Sequence, residues 1–440
     1  MWQTLRDALR IKDIRSRLLF TFGILVLIRI GCQIPTPGVS TTYIAQWLAS
    51  RTGDSFNFFD AMTGGSLTSM SIFALNISPY ITSSIIMQLL TIAFPALEEM
   101  AKDGEEGRKK MNKITRYVTL ALALIESSAI AIGFGRQGLI PDITFWKAAV
   151  VVICLSAGAV VLMWLGEQIT EKGIGNGISM VLLINILSSV PTMAGALIER
   201  FVTNASNVAT AVVAVIVILV VVAALVAFVV FLNDGERRVP VQYSSKMMGR
   251  RSYGGNSSNL NIKVNTANVI PVIFASSLMS IPSLIAQFFT VDYTKWYGKI
   301  LTLLSTQSWF RREAPWYTLG VLIYIALIIL FAYFYTSVTF NPVEIAGNLK
   351  KSGGFVPGIR PGKPTSDYLK NILNYLILIG AVGLCIVVLI PIIVTGIFSL
   401  SSLSLGGTSI IIICGVILET LQQLSGMLKP RNYEGFSFLN

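Results

Sequence analysis

Histidine is absent from all 440 residues of this chain. That single count removes histidine-based catalytic triads, histidine metal sites and histidine proton relays together. Charge is scarce as well. Asp, Glu, Lys and Arg make up 13% of the chain, about half of the roughly 25% typical of soluble domains. An ordinary cytosolic globule is excluded, because its surface would carry too little charge. The four cysteines, Cys32, Cys154, Cys385 and Cys414, lie in or beside apolar runs without close pairing. They fit neither a disulfide framework nor a thiolate metal site and read as packing residues. No catalytic constellation appears, so neither an enzyme nor a bound cofactor or metal is expected.

What the chain has instead is apolar length. Hydrophobic residues make up 53% of it, and the mean hydropathy is +0.69. A helix needs about 20 apolar residues to cross roughly 30 Å of hydrocarbon. Residues 61–97, 148–166, 201–233, 264–291, 314–343 and 371–418 contain no Asp, Glu, Lys or Arg. The last run is too long for one span and must fold back, with the Pro391 to Gly407 interval as its turn. Ten spans follow, at 18–34, 72–94, 114–134, 146–166, 178–198, 208–232, 267–290, 316–338, 370–393 and 408–428. The fold class is an all-α polytopic membrane protein.

With ten spans, the loops on one side hold 25 Lys and Arg and those on the other hold 8, while Arg29 inside the first span completes the 34. The positive-inside rule places the richer side, and both termini, in the cytoplasm. Much of the net charge of +12 is therefore a topology signal. The first span is followed by Ile34-Pro35-Thr36-Pro37-Gly38 without a small-residue cleavage site, so it reads as a retained span rather than a signal peptide. Most basic loops read as solvated connectors. Two are longer and more ordered in composition. Residues 233–266 alternate apolar and polar types through Glu236-Arg237-Arg238-Val239-Pro240-Val241-Gln242-Tyr243, like a short hairpin, and carry Arg250-Arg251. Residues 339–370 carry Gly353-Gly354-Phe355-Val356-Pro357-Gly358-Ile359-Arg360-Pro361-Gly362. Basic tips of this kind suit an acidic or RNA-bearing partner.

Nucleotide-binding patterns fail on context. Gly358 to Lys363 is one residue short of a phosphate-binding loop, and Pro364 replaces the metal-binding Ser or Thr. Gly173-Ile174-Gly175-Asn176-Gly177 has its third glycine too early for a dinucleotide fingerprint and no preceding strand. The ionisable groups inside spans are Arg29, Glu126 and Glu419, each a functional candidate by default. On composition and topology alone the chain is a ten-span inner-membrane protein, with a secondary solute transporter as the default reading.

A series of motifs changes that. Ile34-Pro35-Thr36-Pro37-Gly38 is followed by Ser71-Ile72-Phe73-Ala74-Leu75-Asn76-Ile77-Ser78-Pro79-Tyr80-Ile81 and Leu162-Met163-Trp164-Leu165-Gly166-Glu167-Gln168-Ile169-Thr170-Glu171. Then come Gly173-Ile174-Gly175-Asn176-Gly177-Ile178-Ser179, Val269-Ile270-Pro271-Val272-Ile273-Phe274, Phe340-Asn341-Pro342 and Gly354 to Gly362. In this order, over nearly the whole chain, they resemble the SecY family of protein-translocation channels.

The resemblance implies two inverted five-helix halves around a central pore, 18–198 and 208–428, flanked by a cytoplasmic segment 1–17 and a tail 429–440. It implies a pore ring of Ile77, Ile81, Ile178, Leu182, Ile273 and Ile412, with Leu182 departing from an all-isoleucine ring. The plug, a short half-helix, would be 57–70, including Phe58, Phe59, Asp60, Met62, Gly64, Gly65, Ser66 and Leu67. Its Gly pair and its shortness also read, independently, as a re-entrant piece. A lateral gate between spans two and three and spans seven and eight would be bridged by Gln88, Asn265 and Asn268. Arg250, Arg251 and Arg360 would form the docking surface for the SecA ATPase and for ribosomes. Further implied partners are SecE, SecG, signal sequences, nascent chains and membrane lipids, with SecDF and YidC as additional candidates. The location would be the bacterial cytoplasmic membrane. A solute transporter and a pore-free insertase or scaffold stay open as alternatives; the large basic loops and scarce midplane charge weigh against the transporter.

Overall fold

A computed structural model describes residues 6, 9–40, 63–135, 140, 144–198, 208–243, 246–248, 251–253, 257–286, 295–304, 309, 315–397 and 407–437. A helix overlaps each of the ten expected spans. They are α1 (Lys12–Gly31), α2 (Ser78–Ala93), α4 (Gly104–Phe134), α5 (Phe145–Lys172), α6 (Gly177–Ile198), α7 (Val208–Asp234), α8 (Ile270–Ala286), α10 (Leu319–Thr339), α12 (Lys363–Ile397) and α13 (Gly407–Ser437). Shorter helices are α3 (Pro95–Lys102), α9 (Trp296–Leu304) and α11 (Pro342–Lys351). By length and composition, six of the described helices are able to cross a membrane, or seven if α2 and α3, bent by 109°, are one broken span. The bend falls at Phe94-Pro95, where proline disfavours helical geometry in the residue before it and lacks a donor of its own. α1 carries Lys12, Asp13, Arg15 and Arg17 at its start and Arg29 near its end, so that no 18-residue stretch of it holds fewer than three charges, which accounts for its absence from that set.

Two expectations need correction. The second helix begins at Ser78, because residues 72–77 run as turns. The chain is also not all-α: the described residues include five short strands. The expected break holds, since α12 ends at Ile397 and α13 begins at Gly407, inside the Pro391 to Gly407 interval. Strand β1 (Glu236–Tyr243) pairs antiparallel with β4 (Ser257–Lys263), as the alternation in 236–243 suggests, and β2 (Lys246–Met248) pairs with β3 (Arg251–Tyr253). Unexpectedly, β5 (Gly354–Phe355) joins the other edge of β1, giving the order β4-β1-β5. The two long basic loops therefore form one sheet. Pro240 is tolerated in the central strand because β5 pairs only with Gln242 and Tyr243, leaving no N–H required at 240 on that edge. Val239 and Val241 are both buried, and Val239 packs with Ile262 and Val356 against Leu369 and Leu373 near the start of α12.

The largest core cluster draws on six helices, with Leu182 and Ile186 of α6, Val229 of α7, Val272 and Phe274 of α8, Tyr324 and Ile328 of α10, Val388 of α12 and Ile412 of α13. Phe274 meets Phe331 edge-on at 5.7 Å. A second cluster joins α1, the approach to α2, α5 and α6 through Ile28, Phe73, Ile77, Leu162, Ile169 and Val181. The outer faces stay apolar: Phe231 of α7 is 77% exposed and Leu322 of α10 is 62% exposed, as a hydrocarbon solvent allows. Between such helices apolar burial gives no preference over lipid, so packing and small polar pairs supply the adhesion. Ser83 of α2 meets Thr119 of α4 at 2.8 Å, and Ser127 of α4 meets Ser156 of α5 at 2.8 Å.

Candidate pore, plug and gate

Pro79 sits in the first turn of α2, so Ile77 caps the helix and Ile81 follows one turn later on the same face. Ile178 and Leu182 repeat that spacing at the start of α6, and Ile273 and Ile412 stand near the starts of α8 and α13. All six stand at or near helix beginnings. Leu182 and Ile412 are buried in the central cluster with Ile81 and Ile273 packed against it, while Ile77 lies in the second cluster with Ile81 and Ile178 packed against it. Ile81 packs against both clusters. The six are branched aliphatic side chains, with no polar atom in any of them, contributed by four helices.

Of the expected plug residues, Phe58, Phe59, Asp60 and Met62 lie outside the described residues. Gly64, Gly65, Ser66 and Leu67 fall in a chain of turns leading to α2. Ser66 is buried, and its Oγ donates to the Thr63 carbonyl at 2.8 Å and stands 3.3 Å from the Phe73 carbonyl. The Gly64 carbonyl faces Nη1 of Arg29 at 3.3 Å and Oγ of Ser188 at 3.5 Å. Backbone bonds tie the segment to the end of α1, with Thr36 N–H donating to Met70 at 2.9 Å and Ile72 N–H to Ile34 at 3.0 Å. Asn76, in the left-handed region at φ 52°, accepts at Oδ1 from Nδ2 of Asn185 at 2.9 Å. Asn76, Asn185 and Ser188 were not among the expected site residues. Each is a polar group inside an apolar, charge-free run, which is the signal that marks it.

The expected gate residues bond within their own surroundings. Gln88 Nε2 donates to Ser84 Oγ at 3.3 Å inside α2, and Asn265 Nδ2 donates to Asn233 Oδ1 at 2.7 Å at the end of α7. Asn268 has φ 52°. Gln88 Oε1 and Asn268 Oδ1 are both buried without a hydrogen-bond partner.

The failed dinucleotide pattern, Gly173 to Gly177, has a structural use. Ile174 N–H donates to Thr21 Oγ1 of α1 at 3.0 Å, Gly175 N–H to Gln423 Oε1 of α13 at 2.6 Å, and Gly177 N–H to Thr170 Oγ1 of α5 at 2.9 Å. One short loop thus gathers three helices. Ile174 is buried beside it with Ile14, Leu424 and Leu428.

Among the expected docking residues, Arg250 is outside the described residues, and Arg251 opens β3. Arg360 is exposed at the tip of a turn between Gly358 (φ 84°) and Gly362 (φ 105°). Its carbonyl accepts from Thr365 Oγ1 at 2.8 Å, and Ile359 N–H donates to Val356 at 3.1 Å. The backbone is pinned while the guanidinium is presented outward.

Comparison with known proteins agrees with this geometry. The SecY family model matches residues 71–421. The protein translocase subunit SecY of Streptomyces coelicolor is 40% identical over 445 residues, covering 98% of each chain. The chain belongs to the SecY family. The Corynebacterium glutamicum subunit is 42% identical over 453 residues, again with 98% of each chain covered. Among solved structures, one of a protein-conducting channel superposes with TM-score 0.66 at 18% identity, covering 93% of this chain and 91% of its own. Sec61 from the canine ribosome-channel complex superposes with TM-score 0.63 at 18% identity, with the same coverage. These two likenesses speak for the fold. A SecY-family chain of this kind is a multi-pass membrane protein and a protein translocase subunit with the fold of protein-conducting channels.

Proposed function

We propose that this chain is the central channel of a Sec translocase in a bacterial cytoplasmic membrane, with ten spans in two inverted five-helix halves and both termini in the cytoplasm. It passes unfolded secretory chains outward and releases apolar segments sideways into lipid. The observation that supports this reading is that Ile77, Ile81, Ile178, Leu182, Ile273 and Ile412, from four helices, fall in two apolar clusters, with Ile81 packed against both. Such an apolar constriction excludes ions by dewetting, yet offers a sliding polypeptide no strong binding site. Residues 57–70 act as the plug that closes it. Gln88 and Asn268, with buried and unpartnered oxygens, line a seam between the halves that is weakly bonded and opens for a signal sequence.

The two basic loops, with Arg250, Arg251 and Arg360, are the docking surface for SecA and the ribosome. ATP hydrolysis belongs to the partner. SecE and SecG complete the complex, with SecDF and YidC as auxiliary partners. The planar, always-charged guanidinium of Arg360, on its rigid turn, suits bidentate contact with carboxylate or phosphate.

The test is reconstitution of the chain with SecE in liposomes, with SecA and ATP outside and an unfolded secretory protein scored for protease protection. ATP-dependent protection is expected, and Arg360→Glu is expected to reduce it by at least about tenfold while the protein remains folded, since a charge-pair partner at an interface is worth about 2 kcal/mol or more. Absence of protection with SecA bound shifts the reading to a solute transporter or insertase.

A further inference from the structure

Arg29 is an intramembrane charge that the pore, gate and docking readings leave without a role. It stands in the last turn of α1, where a cation is favourable beside the helix C-terminus, and a long side chain there is free to extend along the surface. Its guanidinium instead reaches a backbone carbonyl 35 residues away in the chain, that of Gly64, with Nη1 3.3 Å from the oxygen. Ser188 Oγ of α6 donates to the Asn185 carbonyl of its own helix at 2.7 Å and stands 3.5 Å from the Gly64 oxygen. Gly64 itself has φ 65°. A methyl group at 64 would stand 2.6 Å from Ser188 Oγ, 2.7 Å from Arg29 Nη1 and 2.8 Å from the Asn185 carbonyl. The seat is thus fitted to a bare backbone turn, with Arg29 as the donor to its carbonyl and Ser188 as its wall.

We infer that Arg29 is a latch that holds the plug segment in the closed channel through the Gly64 carbonyl. This rests on the reading of 57–70 as the plug. The bond is charge-assisted, and Ser188, whose proton is taken by the Asn185 carbonyl, walls the seat. A single bond to one carbonyl means that displacement of the Gly64 turn releases the latch in one step. The latch needs no side chain from the plug, which leaves the plug sequence free to be small and apolar. Lysine replaces it only in part, because a point charge on a flexible stem lacks the planar fork.

The experiment measures resting ion conductance per channel in planar bilayers for the wild type, Arg29→Met, Arg29→Lys, Ser188→Ala, a deletion of residues 57–67, and Arg29→Met in the deletion. Arg29→Met is expected to raise resting conductance about fivefold, the size of one lost interhelical hydrogen bond in a membrane, with Arg29→Lys between it and the wild type. In the deletion background Arg29→Met is expected to add nothing, because the group it holds is gone. An equal rise in both backgrounds means that Arg29 supports the structure generally, and overturns the latch. Wild-type conductance in Arg29→Met overturns it too, while a leaky deletion keeps the plug reading standing. A deletion that does not leak removes the plug reading and the latch with it. If Arg29→Met does not accumulate, Arg29→Lys carries the same comparison: a smaller rise, absent in the deletion, supports the latch, and no rise overturns it. Ser188→Ala, which keeps the arginine bond, is expected to stay near the wild type, and a rise as large as that of the Arg29 variants overturns the latch.

Discussion

The start and the middle of α6 differ in how they are held. At its start, the Gly173–Gly177 loop gives three backbone N–H groups to Thr21, Gln423 and Thr170 at 2.6 to 3.0 Å, and Ile174 is buried beside them. Midway along the helix, Ser188 donates to the Asn185 carbonyl at 2.7 Å, and the Gly64 carbonyl of the turn chain beside it is left to Nη1 of Arg29 at 3.3 Å. The start is stitched by short bonds to three separate helices and cannot give way at one point. The middle faces one acceptor held by a single longer bond. A gated channel needs both, a fixed point that keeps the helices in register and a contact that lets go.

The largest effect that bears on this contrast is expected from Gly177→Ala. A methyl group there would stand 1.7 Å from the Gly166 carbonyl, and backbone cannot step aside as a side-chain tip can. A loss of about 3 kcal/mol or more is expected, read as thermal unfolding in detergent or failure to accumulate. Gly64→Ala meets contacts of 2.6 to 2.8 Å, two of them with side-chain ends, at a position with φ 65°. It is expected to raise resting ion conductance several-fold while unfolding temperature changes little. If instead it destabilises the chain as much as Gly177→Ala, the contrast between fixed and releasable contacts is broken. The smallest effect is expected from Thr21→Val, which removes one acceptor from the Ile174 N–H and costs about 1 kcal/mol. It sharpens the comparison if stability falls while resting conductance stays at the wild-type level.

The helices were legible because a charge-free run of some 20 residues has few other uses, and a helix stands at each predicted span. Strand β1 was legible in the alternation of Val239 and Val241 with polar neighbours. Its second partner was not. Gln242 pairs with Phe355 across more than a hundred residues, and a two-residue strand has no pattern of its own. The break between α12 and α13 falls inside the Pro391 to Gly407 interval, although the proline itself lies within α12. At the candidate site, the apolar ring residues could be named from motif order, and they fall in two apolar clusters of the structure. The grip on the plug segment stayed hidden for a physical reason. Its acceptor is a backbone carbonyl, a group every residue has, so only Arg29 itself was conspicuous.

The β4-β1-β5 sheet has a consequence for exchanging parts between relatives. Strand β5 contributes only Gly354 and Phe355, and its partners Gln242 and Tyr243 belong to the other basic loop. Transplanting either loop by itself would pair a native edge with a foreign one and leave Val239 and Val356 facing a mismatched surface over α12. The two loops, far apart in sequence, make one module, and only a graft that carries both would travel intact.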